Sequence, residues 1–592
     1  RSTRIQVLTN EFLTSVAQQN MNFEPQTIAF SSYYEALHED DYLLQDQMAD
    51  PIAFSASTSK DTLYYHQAMK ADDKAQFLQA MNKEFYDHMD KNHYEVVSRD
   101  LIPEGESILD SVWAMKRKRN ILTNQVYKWK SRLNLHGGQQ EYAVNFYETF
   151  SPVINWSSSR LLLVQAIICK WHTRQVDFTM AFPQADIEFP LYMKLPMGIN
   201  VSGCNNKTHA LKLKKNLYGQ KQGSRIWFLH LCKKLKELKY EQSQVDECIF
   251  YRGDLIFFFY VDDGIFLCPD KTKVDKAIKE LQQDLELEDQ GDIADYLGIN
   301  FTYQNDGKII MSQPQLIDQL INDLKISPNA HLPPTPAVSS RILNREEHAP
   351  AFKKQFHYRS AVGKLNYLEK GTRPDITYAT HQCARFCEDP REPHGRAVEH
   401  IVKYLKKTKH RGIILDPDRA KSLEVYADAD FSGNWNKNTA EHDSSTAKSR
   451  TGYIILYAGC PIIWCSKLQT QVSLSTTEAE YVSLSQSLRE VIPVINLIKE
   501  MKERNIATVS SVPTVFCKAF EDNSGALELA KSPKMRPRTK HLNLVYHHFR
   551  EHVRKRIIQL FPISTDFQLA DIYTKPLPKE LFIKFRKSIM GW

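Results

Sequence analysis

The chain has 592 residues, of which 42% are apolar, 11% aromatic and 25% charged, so several folded domains are expected and a fibre or a disordered chain is excluded. Lys plus Arg total 77 against 70 for Asp plus Glu, a net charge of +7 that permits a polyanionic partner without requiring one. The ten cysteines are scattered, with no CxxC pair and Cys383 and Cys387 the closest two, so neither a disulfide framework nor a zinc ribbon is suggested.

In chain order, the first 70 or so residues are polar and weakly periodic, acidic between Glu39 and Asp50, and are expected to be a loosely ordered lead-in. Position 1 is Arg rather than Met, which is read as a processed or trimmed chain. Phe77, Met81, Phe85 and Met89 recur at helical spacing between Asp73 and Asp90, and Tyr94 to Val97 reads as a strand, so folded structure is expected from about residue 75. The densest apolar run, Leu255 to Val261, is far shorter than the roughly 18 to 20 residues of a membrane span, and no secretory signal opens the chain, so it is read as neither secreted nor embedded. Prolines 333, 334 and 336 mark Pro328 to Ala349 as a linker. After Lys421 the pattern is three strands, a helix, a strand and a helix: Leu423–Ala427, Gly452–Tyr457, Pro461–Ser466, Thr477–Arg504, Thr514–Ala519 and Asn523–Ala530. That is the order of a compact α/β domain.

Two sets of carboxylates stand out. Leu255 to Leu267 reads as two apolar strands joined by a turn built on Asp262-Asp263-Gly264. Adjacent carboxylates between hydrophobic strands repel and raise each other's pKa unless a cation neutralises them, and hard oxygen ligands favour Mg²⁺. A bare Asp-Asp-Gly is more often a solvated acidic turn, so a partner is needed. Asp177 supplies one, ending the otherwise apolar strand Thr173 to Asp177, although a lone strand-end Asp is usually a cap. Three carboxylates converging from two antiparallel strands would hold two metals, one to activate a 3′-hydroxyl and one to steady a leaving pyrophosphate.

The second set lies in the C-terminal α/β pattern: Asp428 and Asp430 at the end of its first strand, Glu478 and Glu480 opening the long helix, Asp522 after an apolar strand, and Asp571 before the last helical stretch. Each alone is more often a helix cap or first-turn acid.

Tyr260-Val261-Asp262-Asp263 resembles the motif of reverse transcriptases, and the surroundings resemble the copia-type long-terminal-repeat retrotransposon polyprotein. The matching segments run in family order: Tyr127-Lys-Trp-Lys130-Ser-Arg132, Glu148 to Val153, Gln175 to Phe182, Leu217 to Trp227, Tyr296 to Ile299, and Arg373-Pro-Asp375. The resemblance covers about residue 75 to the C-terminus. It implies α/β and α+β domains arranged as a right-hand polymerase: a lead-in at 1–74, fingers and palm at 75–268, a thumb at 269–335, a connection at 336–420 and a ribonuclease H-like α/β domain at 421–592.

On this resemblance Asp177, Asp262 and Asp263 would hold two Mg²⁺ ions, with Mn²⁺ as substitute, and a second Mg²⁺ pair would lie on Asp428, Glu480, Asp522 and Asp571. Glu480 is preferred to Glu478, and Asp428 to Asp430. Phe182 would exclude a 2′-hydroxyl, with a core aromatic as the competing reading. Lys130 and Arg132 would contact the triphosphate and Gln222 would lie over the nucleotide. Arg225 would position the nucleotide or the template, and Lys116, Arg117, Lys118 and Arg119 divide between template contact and plain surface solvation. The family segment usually reads Tyr-Gly-Leu-Lys-Gln-Ala-Pro-Arg. Here Gln220 replaces Leu and Gly223-Ser224 replaces Ala-Pro, a departure expected to act on loop rigidity rather than on Gln222. No His falls between His552 and Asp571, where many ribonucleases H carry one for product release. Lys540-His541-Leu542 resembles the copia-type Lys-His segment, and the basic stretch Lys531 to Lys540 is expected to follow the phosphates of a hybrid.

The implied activity is deoxynucleotide addition to a DNA primer on RNA or DNA templates, with hydrolysis of the RNA strand of RNA–DNA hybrids in retrotransposon replication. The implied partners are the template, the primer, the hybrid, deoxynucleoside triphosphates and a second copy as a homodimer, with no membrane. The implied location is the cytoplasm within virus-like particles, with a nuclear phase. Two other classes stand beside this one, a structural subunit that binds hybrid without catalysis and a host repair polymerase. Intact acids at all seven positions argue against the first, and the adjoining ribonuclease H pattern against the second.

Overall fold

The computed structural model describes residues 61–592 apart from 120–124, 339–341, 346–347, 354, 438–442, 507, 509–515 and 533–546. The lead-in to residue 60, most of the Lys531–Lys540 stretch and the Lys540–Leu542 segment therefore lie outside the described residues. The described chain is a mixed α/β structure. None of its helices is long and apolar enough to cross a membrane.

Order begins before residue 75. Strand β1 (Thr62–Leu63) pairs antiparallel with β2 (Ser111–Arg119), Thr62 opposite Lys116, and Ala68 is fully buried. A two-residue strand has no periodicity to read in sequence, and only its pairing holds it. Helix α1 (Lys74–Asp90) buries Phe77, Met81 and Phe85 at the expected spacing, while Met89 stays partly buried. That stripe packs with Trp113 and Met115 of β2 and Leu133 and Leu135 of β3 (Val126–Leu135), which pairs antiparallel with β2.

Helix α2 (Trp156–Cys169) is followed by β4 (His172–Phe178), and helix α3 (Gly223–Glu237) precedes a meander of β5 (Glu241–Gln242), β6 (Ile249–Arg252), β7 (Leu255–Tyr260) and β8 (Asp263–Cys268). With β9 (Leu287–Gly291) these make a six-stranded antiparallel sheet in the order β9-β4-β8-β7-β6-β5. The expected boundary at 268 therefore falls inside one sheet. The acidic stretch Asp284 to Asp295 reads in sequence as the outer face of a thumb, an odd partner for nucleic acid; in the structure it supplies the edge strand beside β4. Arg174 of β4 clamps Asp289 through two bonds of 2.7 Å. An unpaired β4 edge would leave a row of backbone donors and acceptors open, and β9 closes it.

A four-stranded sheet joins Asp295–Tyr296, Ile299–Tyr303 and Ile309–Ser312 to Ile413–Leu415, so the 269–335 and 336–420 segments share a sheet. The helices Tyr358–Gly371, Thr377–Ala384 and Glu392–Lys407 lie between them in sequence.

The C-terminal sheet has five strands. Strands β10 (Leu423–Asp430), β11 (Arg450–Tyr457) and β12 (Cys460–Leu468) form an antiparallel meander, while β13 (Cys517–Glu521) pairs in parallel with β10 and β14 (Ile558–Pro562) in parallel with β13, giving the order β12-β11-β10-β13-β14. Helix α4 (Thr476–Glu503) packs across β10 and β11. Helices α5 (Ser524–Lys531), α6 (Asp571–Thr574) and α7 (Lys579–Met590) complete the region.

Candidate active sites

The first set of acids is assembled by strand register. Asp177, the penultimate residue of β4, is paired with Asp263, the first residue of β8, on one side and with Glu288 of β9 on the other. Asp262 occupies the hairpin turn immediately before Asp263. The turn is Val261-Asp262, not Asp-Asp-Gly: Tyr260 pairs with Asp263, and Gly264 is already inside β8 opposite Phe259 and Val176. Gly264 is there for closeness. A Cβ on it would meet the Phe257 ring at 2.7 Å and Val176 Cγ2 at 2.9 Å.

Val261 has φ +56°, an unusual left-handed conformation for a β-branched residue. Its surroundings hold it there. The Trp227 indole N–H donates to the Val261 carbonyl at 2.7 Å, and the Phe178 amide donates to the Asp262 carbonyl at 2.9 Å. Both carbonyls of the turn are thus tied, one to α3 and one to β4.

Burial and the charges of Asp262 and Asp177 push the Asp263 carboxyl up to about 7. Burial and Asp262 likewise raise Asp177, against the pull of Lys130 and Lys118. Those two lysines belong to the β2–β3 hairpin, where Ala114, Lys116 and Lys118 pair with Arg132, Lys130 and Lys128. Cross-strand partners share a face, so five cationic side chains line one side. Burial together with Arg132 and Lys118 lowers the Lys130 ammonium to about 8. On the other face Arg117 donates twice to Asp73, at 2.6 and 2.7 Å, and Arg119 twice to Asp61, at 2.8 and 2.9 Å. The basic run therefore divides: Lys116 and Lys118 are exposed, while Arg117 and Arg119 sit in carboxylate clamps.

Arg132 lies over the Tyr218 ring at 4.0 Å, and Tyr218 stacks on Phe182 with centroids 4.9 Å apart. Gln222 is 1% exposed and its amide is engaged: Gln140 Nε2 donates to its Oε1 at 3.0 Å and its Nε2 donates to the Asn145 carbonyl at 3.1 Å. Gln220 is also buried, and neither polar atom of its side chain has a hydrogen-bond partner among the described residues. Arg225 pairs with Glu148. Sequence reasoning missed Glu288, Tyr218, Gln140 and Asn145. Glu288 stood in a stretch read as another domain's surface, and the others carry no charge pattern.

The second set gathers at the end of β10. Carboxylate oxygens of Asp428, Glu480 and Asp522 lie within 4.8 Å of one another, contributed by β10, α4 and the end of β13. Asp428 and Glu480 are buried, and Glu480 Oε2 has no hydrogen-bond partner among the described residues. Burial and the surrounding acids push the Glu480 carboxyl far above its usual range. An orphaned carboxylate oxygen among converging acids fits a hard divalent cation, as do the paired acids of the first set. Asp571, 1% exposed, lies outside that group of three, and its Oδ1 forms an ion pair with the Lys575 ammonium at 2.9 Å. Glu478 takes part in the start of α4, where its Oε2 accepts from the Leu474 amide at 2.8 Å while the Ser475 hydroxyl accepts from the Glu478 amide at 3.2 Å. Asp430 pairs in register with Arg450, outside the three-acid group. Sequence reasoning missed Thr574, which donates to Asp428, Lys575, and Glu521, a buried acid at the end of β13. The four-residue spacing from Asp571 to Lys575 was the available signal.

Residues 91–338 match the family described as reverse transcriptase (RNA-dependent DNA polymerase). The chain is 30% identical over 533 residues to the retrovirus-related Pol polyprotein from transposon TNT 1-94 of Nicotiana tabacum, covering 88% of this chain and 38% of that protein. It is 31% identical over 504 residues to the Pol polyprotein from transposon RE1 of Arabidopsis thaliana, covering 83% of this chain and 32% of the relative. The chain thus spans about a third of the length of these relatives. Among solved structures, a foamy viral protease-reverse transcriptase in complex with double-stranded DNA aligns with a TM-score of 0.44 at 12% identity, over 82% of this chain and 69% of that one.

Proposed function

Since the chain belongs to the copia-type transposon Pol polyproteins and its residues 91–338 are a reverse transcriptase domain, we propose that it extends a DNA primer on RNA and DNA templates and hydrolyses the RNA strand of the hybrid it makes. The supporting observation is the cross-strand register of Asp177 with Asp263, with Asp262 in the pinned turn between β7 and β8.

On this reading Asp177, Asp262 and Asp263 would hold Mg²⁺, which when bound lowers the pKa of a primer hydroxyl and neutralises charge on the departing pyrophosphate. The chain's own part is positioning. The two tied carbonyls hold the turn, Lys130 and Arg132 present positive charge to a triphosphate on the face that also holds Lys118, and the Phe182–Tyr218 stack forms a wall against the sugar. Residues from about 75 act as fingers and palm, the middle of the chain as thumb and connection, and the residues from 421 as the ribonuclease H domain. There Asp428, Glu480, Asp522 and Asp571 would hold the cations that activate water against a phosphodiester. The natural partners are the template, primer, hybrid and deoxynucleoside triphosphates. A homodimer and a particle-enclosed cytoplasmic location belong to the same reading.

The test is primer extension on a labelled RNA template with Mg²⁺. The Asp262→Asn, Asp263→Asn double variant is expected to lose DNA synthesis by about a thousandfold or more and keep RNA cutting, and Asp428→Asn the reverse. A parent chain that binds hybrid but performs neither reaction overturns the reading in favour of a structural subunit.

A further inference from the structure

The Val261-Asp262 turn is tied at both carbonyls, but a carboxylate beyond it can still rotate about its side-chain bonds. Asp263 and Asp177 stand opposite each other on β8 and β4, and Ile265 and Gln175 stand opposite each other two residues further along the same pair of strands. Residues two apart on a strand share a face, so Gln175 is the diagonal neighbour of Asp263, at a separation a long side chain spans. On the other side of β4 the residue facing Gln175 is Gly291, which has no side chain to crowd it. Gln175 is buried, and its Nε2 donates to the Asp295 carbonyl at 2.9 Å. A carbonyl only accepts, so this bond fixes which end of the amide is nitrogen. The same nitrogen carries a second N–H. Burial, Asp262, Asp177 and Asp295 all push the Asp263 carboxyl up, and the Gln175 amide draws it down. Tyr296, also buried near Asp263, leaves its hydroxyl without a hydrogen-bond partner among the described residues.

We propose that Gln175 is a positioning residue for the first set of acids: anchored on the Asp295 carbonyl, its amide holds one oxygen of the Asp263 carboxylate and so sets the direction in which the other oxygen faces a cation. The proposal rests on the polymerase reading for its part in DNA synthesis, though not for its ion-binding test. A carboxylate beside Asp262 and Asp177 has two like charges to turn away from, and a donor on a rigid element opposes that rotation. Strand β4 is such an element, since it is hydrogen-bonded to β8 on one side and β9 on the other. The anchor lies outside the six-stranded sheet, because Asp295 begins the four-stranded one. Gln175 thereby links the orientation of one acid to the seating of the neighbouring sheet.

The test follows Mn²⁺ binding by electron paramagnetic resonance on the full chain without nucleic acid, in an Asp428→Asn background that weakens the second set of acids. Gln175→Met keeps the length of the side chain and removes its donor. The apparent Kd for the ion at the first set is expected to rise about tenfold. With Asp428 intact, the Mg²⁺ needed for half-maximal primer extension should rise alike, while RNA cutting keeps its parental Mg²⁺ requirement. If Gln175 only satisfies the Asp295 carbonyl, Gln175→Met will lower the thermal midpoint and the extension rate without moving either ion dependence, and that result overturns the proposal. Gln175→Asn guards against misfolding of the first variant: it keeps the amide but is one methylene too short to span both partners, so it is expected to weaken ion binding as well. Parental Mn²⁺ affinity in either variant with a cooperative melt overturns the proposal. A parent that binds the ion at the first set but makes no DNA would remove the polymerase reading and leave the Gln175 comparison standing.

Discussion

Asp263 shows how far a single residue's chemistry depends on its neighbours. Its carboxyl sits at about 7 rather than 3.8 because it is buried beside Asp262 and Asp177. Between those two values the folded chain holds a proton that the unfolded chain has released. Stability from this group is therefore complete below 3.8 and is lost as pH rises through about 7 in the metal-free protein. A cation must displace the same proton, so Mg²⁺ affinity at this site should fall about tenfold for each pH unit below 7. The rise in thermal midpoint on adding Mg²⁺ is expected to be larger at pH 8 than at pH 6, and to lose that difference in Asp263→Asn. An equal rise at both pH values would contradict it.

At the scale of elements, the β2–β3 hairpin sorts four consecutive basic residues by the period of the strand. Lys116 and Lys118 project with Lys128, Lys130 and Arg132 from one face, while Arg117 and Arg119 turn to Asp73 and Asp61 on the other. The Arg117 clamp, with the Trp129 indole as a second donor, lowers the Asp73 carboxyl to about 2. The Lys116→Ala, Lys118→Ala double variant should weaken hybrid binding and reduce its salt slope by about 2, leaving thermal stability within about 0.5 kcal/mol. Arg117→Ala should instead cost about 1–3 kcal/mol of stability and leave the salt slope alone. Salt-dependent binding isotherms and thermal melts separate the two. In sequence the four residues were indistinguishable, because the acids that claim two of them lie 44 and 58 residues away.

Across the whole molecule, α2 and the C-terminal sheet are joined through one buried guanidinium. Arg160, 4% exposed, donates to the Ile462 carbonyl at 3.0 Å and to the carbonyls of Lys370 and Gly371, and it lies over the Trp464 ring at 4.2 Å. Tyr457 donates to Gln165 at 2.6 Å, Ser243 to Glu500 at 2.7 Å, and Arg504 pairs with Glu241 at 2.6 Å along the same boundary. The residues from 421 onward thus dock directly on α2 and on the β5 end of the six-stranded sheet. Arg160→Met strips three carbonyls of their donor and should cost roughly 3 kcal/mol or more. Calorimetry is expected to show a single main transition in the parent and two separated transitions in the variant. One unshifted transition in both would show that Arg160 does not bind the two regions together.

The α1 stripe, the apolar β7 and β8 runs and the strand order after Lys421 were legible in sequence because each is a local period set by residues that are neighbours in the chain. So were the acids, since a carboxylate at the end of an apolar strand is conspicuous wherever it folds. The partners of those acids were not legible. Glu288 came beside Asp177 because β4 had an open edge, the turn moved one residue because Gly264 was needed for close packing, and Lys575 entered the second cluster through a single helical turn. Register, edge closure and burial involve chain segments tens to hundreds of residues apart, and only the tertiary structure decides which of them meet.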